Sequence, residues 1–214
     1  GHKTVLSLII GTGVGGGIAV DGALWPGPND ISGEFGHTPL PAHLVKEFDL
    51  PVVRCGCGRM GCVETLIAGP GLTRLAARIA DIVASPPELV AMRNGNPDAQ
   101  KVWDVWCQIT AELLHTLILT VDPDVIILGG GLSKINGIAA DLQSALHNIQ
   151  LAALRDTRIL CAQGGDASGA WGAAFAPKLG LAASDNTMQL AKDLLAVMAD
   201  AGADFTNTFN TLDQ

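Results

Sequence analysis

Apolar and polar positions along the first quarter of the chain predict strands joined by glycine turns. A continuous apolar run over residues 5–10 predicts a buried strand. The glycine-rich run 11–17 is expected to form a tight turn, and a second strand is expected over residues 18–20, ahead of the hairpin signal Asp21-Gly22. Residues 23–63 are rich in glycine, proline and cysteine. They show neither the alternation typical of a strand nor the spacing typical of a helix, which predicts a long irregular region.

The rest of the chain changes to helical spacing with short apolar strands between the helices. A serine or an asparagine directly precedes a proline at Ser85-Pro86 and Asn96-Pro97, and this pattern indicates two helix starts. Helices are predicted from residue 69, after residue 85, over residues 97–121, 138–149 and 170–176, and in an appended segment 184–214, with strands over 125–128 and 157–161. Strands that alternate with helices and end at glycine turns predict an α/β fold with ligand sites at those turns.

Composition narrows the class of protein. The chain has 214 residues and a formal net charge of −8, which argues against a nucleic-acid binder. No apolar run approaches the roughly 20 residues that span a bilayer, and no signal-peptide pattern is present, so a cytoplasmic protein is expected. Two of the five cysteines, Cys107 and Cys161, lie in apolar patterns and are expected to be small buried side chains.

The other three cysteines form the most informative motif. Cys55, Cys57 and Cys62 share a C-x-C-x4-C spacing on a glycine-rich loop. Zinc prefers four thiolate or imidazole ligands at the corners of a tetrahedron, so this loop predicts a zinc site rather than a disulfide framework. The fourth ligand must come from elsewhere, and His37 is the nearest plausible imidazole; three free thiols in a flexible loop are the alternative.

Acidic residues flank the predicted metal site. Glu34 lies three residues before His37, and Glu64 lies two residues after Cys62. Carboxylates offer several acceptor positions to hydroxyl groups, so this grouping suits the recognition of a sugar. For either glutamate alone, a solvated surface charge is the alternative.

Three small-residue turns follow predicted strands, at residues 11–17, 129–131 and 165–169. Successive backbone N–H groups in such turns form a concavity that binds anions. Each turn alone is equally consistent with a sheet corner. Together they predict a nucleotide crevice into which the ligand fits closely against backbone.

These motifs resemble the ROK family of repressors and sugar kinases. The resemblance rests on GTGVGGG at residues 11–17, GEFGH at 33–37 and CGCGRMGCVE at 55–64, and it covers residues 4 to about 178. The spacer 38–54 is most similar to the N-acetyl-D-glucosamine kinases of that family.

The resemblance implies a fold and a set of roles. The fold would be an actin-like ATPase lobe, ribonuclease H-like, with an inserted zinc-binding loop region over residues 33–64, and the activity would be phosphorylation of a sugar hydroxyl by ATP with Mg²⁺. Carried over, the zinc ligands would be His37, Cys55, Cys57 and Cys62; the sugar contacts would be Glu34, His37 and Glu64; and the nucleotide contacts would be Gly11, Thr12, Gly13, Gly129, Gly130 and Gly131.

The sequence also departs from the family pattern. Neither the phosphate-binding Asp-x-Gly-Gly-Thr hairpin nor the aspartate that deprotonates the sugar is identifiable, so residues 1–178 are expected to be the C-terminal lobe alone, with little kinase activity. Residues 179–214 are expected to be a helix and tail foreign to the family. Within them, residues 193–212 resemble a short stretch of the selenoprotein O family, which suggests a truncated or fused reading frame.

Two alternatives remain at this stage. A ROK transcriptional regulator fragment would bind a sugar, but that class needs a basic winged helix-turn-helix, and no such segment precedes residue 4. A zinc-stabilised sugar-binding or dimerisation module without chemistry is the other. A homodimer is expected because apolar helices lack an upstream lobe to cover them, and because the family often dimerises.

Overall fold

Three strands come first in the described chain and a run of helices follows, so strands and helices alternate only in its last part, whereas the sequence pattern predicted alternation more broadly. The computed structural model describes residues 2–25, 27–29, 31–151 and 157–162. The strands in these ranges are β1 Thr4–Ile10, β2 Val14–Val20, β3 Ala23–Leu24, β4 Val125–Gly129 and β5 Arg158–Cys161. The helices are α1 Ala42–Glu47, α2 Glu64–Ile67, α3 Gly69–Ala80, α4 Pro86–Met92, α5 Pro97–Val121 and α6 Ile138–Ile149, with 3-10 turns at Phe35–His37 and Gly131–Lys134.

The strands form one mixed sheet in the order β3-β2-β1-β4-β5. The first three strands are an antiparallel meander, whereas β1, β4 and β5 run parallel. Asp21 and Gly22, which connect β2 to β3, both have positive φ, and this confirms the predicted hairpin turn. Because β1 and β4 are parallel neighbours, their carboxyl ends lie at the same edge of the sheet.

The glycine run after β1 is mostly strand, which corrects the predicted tight turn over residues 11–17. Only residues 11–13 turn, and β2 starts at Val14. A Cβ atom on Gly16 would lie 2.0 Å from the carbonyl oxygen of Ser7 and 2.8 Å from the ring of Phe35. Glycine is therefore required here because the neighbouring strand and an aromatic ring approach the backbone closely.

Helix α5 forms the centre of the core. Asn96 caps it by accepting hydrogen bonds from two backbone amides, and Asp122 ends it in a left-handed conformation, as its sequence signals predict. Its two tryptophans, Trp103 and Trp106, are buried and stacked with ring centroids 4.7 Å apart. The indole of Trp106 donates to the carbonyl of Ile67, which fixes the end of α2 against the long helix.

Several other expectations need correction. The region 23–63 is not wholly irregular, since it contains β3, a 3-10 turn and α1. Cys107 is buried as expected, but Cys161 is exposed because it is the last residue of β5. The predicted turn at 165–169, the small-residue helix 170–176, the division at 178/179 and the tail 179–214 lie outside the described residues. Within the described part of the chain, none of the helices has the length and apolar character that crossing a membrane requires.

Candidate functional site

The cysteine loop folds into a tight knuckle held by backbone hydrogen bonds. The amide of Cys55 donates to the carbonyl of Arg59, and the amide of Gly58 donates back to Cys55. Gly58 and Gly61 have φ values of +91° and +70°, a conformation that favours glycine. Cys62 then pairs with Pro39 in an isolated bridge, which brings the knuckle beside the segment that carries His37.

The four predicted metal ligands meet at one point. One ligand atom from each of His37, Cys55, Cys57 and Cys62 lies within 4.8 Å of every other. The Sγ atoms of Cys57 and Cys62 are 3.6 Å apart, and Cys55 Sγ lies 3.6 Å from His37 Nδ1. A tetrahedral zinc ion with bonds of about 2.3 Å to sulfur would separate its sulfur ligands by about 3.8 Å. The donor set and its spacing therefore fit zinc.

The three thiols have different electrostatic surroundings. A hydrogen bond to Glu64 raises the pKa of Cys55 to about 12, and burial raises the pKa of Cys62 above its ordinary value. The backbone amide of Arg59 lowers the pKa of the exposed Cys57 thiol. Since metals bind thiolates, a metal ion held here would have to displace protons from the two buried thiols, whereas Cys57 is the readiest to ionise.

Two carboxylates approach the imidazole of His37 from opposite sides. Glu34 Oε2 lies 3.3 Å from Nε2, and Glu64 Oε1 lies 3.6 Å from Nδ1. Glu34 belongs to an exposed loop and its side chain is 64% accessible, whereas that of Glu64, on the first turn of α2, is only 20% accessible. The guanidinium of Arg59 also donates to the backbone carbonyl of His37 at 3.2 Å. The structure thus brings the three predicted sugar-contacting residues together beside the candidate metal-binding cluster, which is formed by His37, Cys55, Cys57 and Cys62.

The glycine turns after β1 and β4 meet at the same sheet edge. A Cβ atom on Gly11 would lie 3.9 Å from the amide nitrogen of Gly131. Both turns border a cavity of about 840 Å³, to which Gly11, Thr12 and Gly131 contribute directly. Gly13, Gly129 and Gly130 do not line it. Gly13 faces Glu64 instead, and Gly130 has φ of +81° with Ile10 directly against its Cα.

Part of the cavity wall was not predicted from the sequence. The start of α3 contributes Gly69, Pro70 and Thr73, and the far wall is the segment 83–88. Ser85-Pro86 predicts a helix start but carries no signal for a ligand site. The amide of Gly69 donates to the carbonyl of Gly11 at 2.8 Å, and this contact could have been found only from the fold.

The sequence matches the model of the ROK family over residues 1–178. It is 41% identical over 176 residues to N-acetylgalactosamine kinase AgaK of Shewanella sp. (strain ANA-3), a match that covers 82% of this chain and 57% of the relative. It is 40% identical over 177 residues to N-acetyl-D-glucosamine kinase of Salmonella paratyphi B (strain ATCC BAA-1250 / SPB7), covering 81% and 58% respectively. The chain therefore spans less than three fifths of these relatives.

The fold is also similar to that of a solved structure. A ROK family glucokinase from Streptomyces griseus, in complex with glucose and AMPPNP, superposes with a TM-score of 0.65 at 26% identity. The match covers 78% of this chain and 58% of that one. The α/β sheet described above is thus the sheet of a sugar-kinase fold of the actin-like type.

Proposed function

The chain belongs to the ROK family, and from that premise we propose that it forms the lobe of an ATP-dependent kinase that binds an N-acetylhexosamine, with N-acetylglucosamine as the preferred sugar. One observation carries the proposal. Glu64 contacts Cys55 of the cluster of His37, Cys55, Cys57 and Cys62, and it also accepts a hydrogen bond from Val14, next to the glycine turn 11–13 that borders the cavity, so a sugar and a nucleotide would occupy neighbouring positions.

Zinc would be held by His37, Cys55, Cys57 and Cys62. When bound, the ion supplies a fixed positive charge and four bonds that lock the knuckle in place. His37 would use Nδ1, which faces Cys55, and this leaves Nε2 toward Glu34. A carboxylate on the second nitrogen of a ligating histidine fixes its ring orientation, so Glu34 orients the imidazole.

The sugar would be bound by Glu34, His37 and Glu64. Ionised carboxylates accept hydrogen bonds only, so each can take hydroxyl groups of a sugar ring. The backbone that carries these side chains is tied to the knuckle by the Pro39–Cys62 bridge and by the Arg59–His37 hydrogen bond. Rigid support of this kind lowers the entropy that binding must overcome.

The nucleotide would enter the 840 Å³ cavity as ATP with Mg²⁺. Its phosphates would lie against the backbone of Gly11 and Thr12, and its nucleoside against Gly131, since these are the residues of the two turns that line the cavity. The relative solved with AMPPNP supports this assignment through the shared fold. Backbone amides in glycine turns are suited to phosphate because no side chain blocks their approach.

Phosphoryl transfer would need groups beyond those assigned here. A general base must reach the sugar proton, and transfer depends on holding both substrates in line. No residue of this chain is assigned as that base. We therefore propose that the chain binds both substrates but turns over little sugar unless a second lobe is supplied. A coupled ATP-to-sugar assay should give a rate near background, and turnover at an ordinary kinase rate, on the order of 1–100 s⁻¹, would refute this part.

Two further features belong to the proposal. Reduced thiols used as metal ligands suit a reducing compartment, so the protein is assigned to the cytoplasm. The chain is also proposed to form a homodimer. Sedimentation equilibrium at micromolar concentration should give twice the mass of the 22.1 kDa chain, and a monomer would contradict it.

Calorimetry with N-acetylglucosamine tests the sugar site. The zinc-loaded chain should bind N-acetylglucosamine, with weaker binding of N-acetylgalactosamine and glucose. Glu34→Gln should weaken binding at least about tenfold, since hydrogen bonds to charged groups contribute about 1.5–3 kcal/mol. Glu47→Gln, an exposed glutamate at the end of α1, is the matched control and should leave the affinity unchanged. No binding of any of the sugars, or equal effects of both variants, would overturn the assignment.

A further inference from the structure

Glu64 contacts two sites through its two carboxylate oxygens. Oε1 accepts a hydrogen bond from Cys55 Sγ at 2.9 Å, and it also lies 3.6 Å from His37 Nδ1. Oε2 accepts a hydrogen bond from the backbone amide of Val14 at 3.3 Å. Val14 directly follows the turn 11–13 that borders the cavity. One side chain therefore joins the metal-binding cluster to the turn assigned to the nucleotide.

We propose that Glu64 is a positioning residue that couples the two sites, so that occupancy of the metal-binding cluster sets the affinity of the glycine turn for nucleotide. The proposal deepens the function given above and rests on its assignment of zinc and nucleotide. The link runs through the side chain of Glu64 and needs no direct contact between the metal ion and the nucleotide.

Close packing makes the link mechanically stiff. A Cβ atom on Gly13 would lie 3.2 Å from Glu64 Oε2. A Cβ atom on Gly36, which precedes His37, would lie 2.3 Å from the carbonyl oxygen of Val14 and 3.1 Å from Cβ of Glu64. Three parts of the molecule are therefore closely packed here: the segment that carries His37, the side chain of Glu64, and the turn 11–13. A shift of the carboxylate displaces the turn, since packed interiors do not deform freely.

The metal changes what Oε1 contacts. Cys55 Sγ lies 2.9 Å from this oxygen, within hydrogen-bond distance. A zinc ion held by Cys55 and His37 would engage both ligand atoms that Oε1 approaches, and the thiol proton would pass to solvent. Oε1 would then be open to a sugar hydroxyl, while Oε2 keeps the Val14 amide. Occupancy of the cluster would therefore change the contacts of the one carboxylate that also contacts the turn.

Coupling of this kind is reciprocal and has a typical size. Two sites that share one positioning element commonly change each other's affinity about 5–150-fold. We expect the zinc-loaded chain to bind Mg²⁺-ADP at least about fivefold more tightly than the zinc-stripped chain. Nucleotide should raise zinc affinity by the same factor.

A fluorescence titration with N-methylanthraniloyl-ADP and Mg²⁺ tests the proposal on the full chain, zinc-loaded and zinc-stripped. Glu64→Gln should reduce the affinity ratio between the two forms to less than twofold, because an amide cannot accept from both sides through two oxygens. Glu47→Gln, at the exposed end of α1, is the matched control, and the ratio should persist in it. A ratio that survives in Glu64→Gln, or that vanishes equally in both variants, would overturn the coupling.

A second measurement keeps the test independent of the variants' folding and of nucleotide binding. In the wild-type chain, zinc should shift the NMR resonance of the Val14 amide while the amide of Leu8, in the middle of β1, stays in place. If zinc moves the resonances of the cysteine loop but leaves Val14 unchanged, the coupling is refuted. Failure of the wild-type chain to bind nucleotide in either form would instead refute the nucleotide part of the proposed function, and the Val14 resonance would then decide the coupling alone.

Discussion

Gly130 and Gly131 are adjacent in the sequence, yet only Gly130 is constrained by its surroundings. Gly130 has φ of +81°, and a Cβ atom there would lie 2.5 Å from the carbonyl oxygen of Ile10. Gly130→Ala should therefore lower the free energy of unfolding by about 1–3 kcal/mol from backbone strain alone. Gly131 has open space where its Cβ would be, so Gly131→Ala should change stability by less than about 0.5 kcal/mol. Urea denaturation of both variants measures the difference, and equal destabilisation would show that the turn is not held as described.

The two exposed cysteines allow a matched test of the metal ligands. Cys57 lies in the cluster with His37, whereas Cys161 ends β5 outside it. The wild-type chain should retain about one zinc ion after dialysis against a mild chelator, because structural zinc sites bind with all four ligands. Cys57→Ser should retain almost none, and Cys161→Ser should match the wild type. Elemental analysis gives the result, and zinc retained by Cys57→Ser would remove that residue from the ligand set.

The sequence was a good guide to the candidate metal ligands and to the two glutamates beside them, but not to the contact that links one glutamate to the glycine turn. The spacing of Cys55, Cys57 and Cys62 already limits the loop to a few conformations, so the cluster in the structure agrees with the motif. The bond from Glu64 to Val14 joins residues fifty positions apart, and no local pattern encodes it. Cys161 was predicted wrongly because the end of a strand and its middle share the same apolar composition.

Among the elements, helix α4 follows its sequence signal closely. Ser85 and Glu88 form a reciprocal capping box, and the hydrogen bonds from Ser85 lower the pKa of Glu88 below its ordinary value. A carboxyl with a lowered folded-state pKa stabilises the protein above its unfolded pKa of about 4.3, and this contribution is lost as pH falls through the folded value.

Glu88→Gln should therefore be less stable than the wild type at pH 7, and the gap should close in acid. Once Glu88 is protonated, it resembles glutamine in charge, so the two chains should unfold at the same urea concentration near pH 3. Glu47→Gln, at the exposed end of α1, should show a smaller gap at pH 7. A gap that stays constant with pH would show that the Glu88 charge does not contribute to the cap.

Strand β2 could be predicted from the sequence only in part. Three consecutive glycines, Gly15, Gly16 and Gly17, lie inside it, although glycine disfavours strands. They are tolerated because Gly16 lies under the Phe35 ring and Gly33 lies against Gly16. The α5 cap at Asn96 and its end at Asp122 were predicted correctly, since both depend on local backbone chemistry.

At the scale of the whole molecule, the sheet determines which sites meet. The parallel pairing of β1 with β4 brings the turns 11–13 and 129–131 together, and the sequence pattern predicted an α/β sheet with sites at such turns. The sequence could not predict that the segment 83–88 closes the cavity, because the position of this segment depends on how α3 and α4 pack against α5. The hydrogen bond from Val14 to Glu64, which links the turn 11–13 to the candidate metal-binding cluster, likewise depends on that three-dimensional arrangement.

Zinc removal tests the central claim, that an ion held by His37 and three cysteines keeps Glu34 and Glu64 in position for a sugar. The affinity for N-acetylglucosamine would be measured by calorimetry on the chain as purified, after chelation, and after zinc is restored, with metal content determined at each stage. Chelation should weaken binding at least about tenfold, as loss of support around a site commonly does, and zinc should restore it. A chain that holds no stoichiometric zinc, or that binds the sugar equally well without it, would contradict the account.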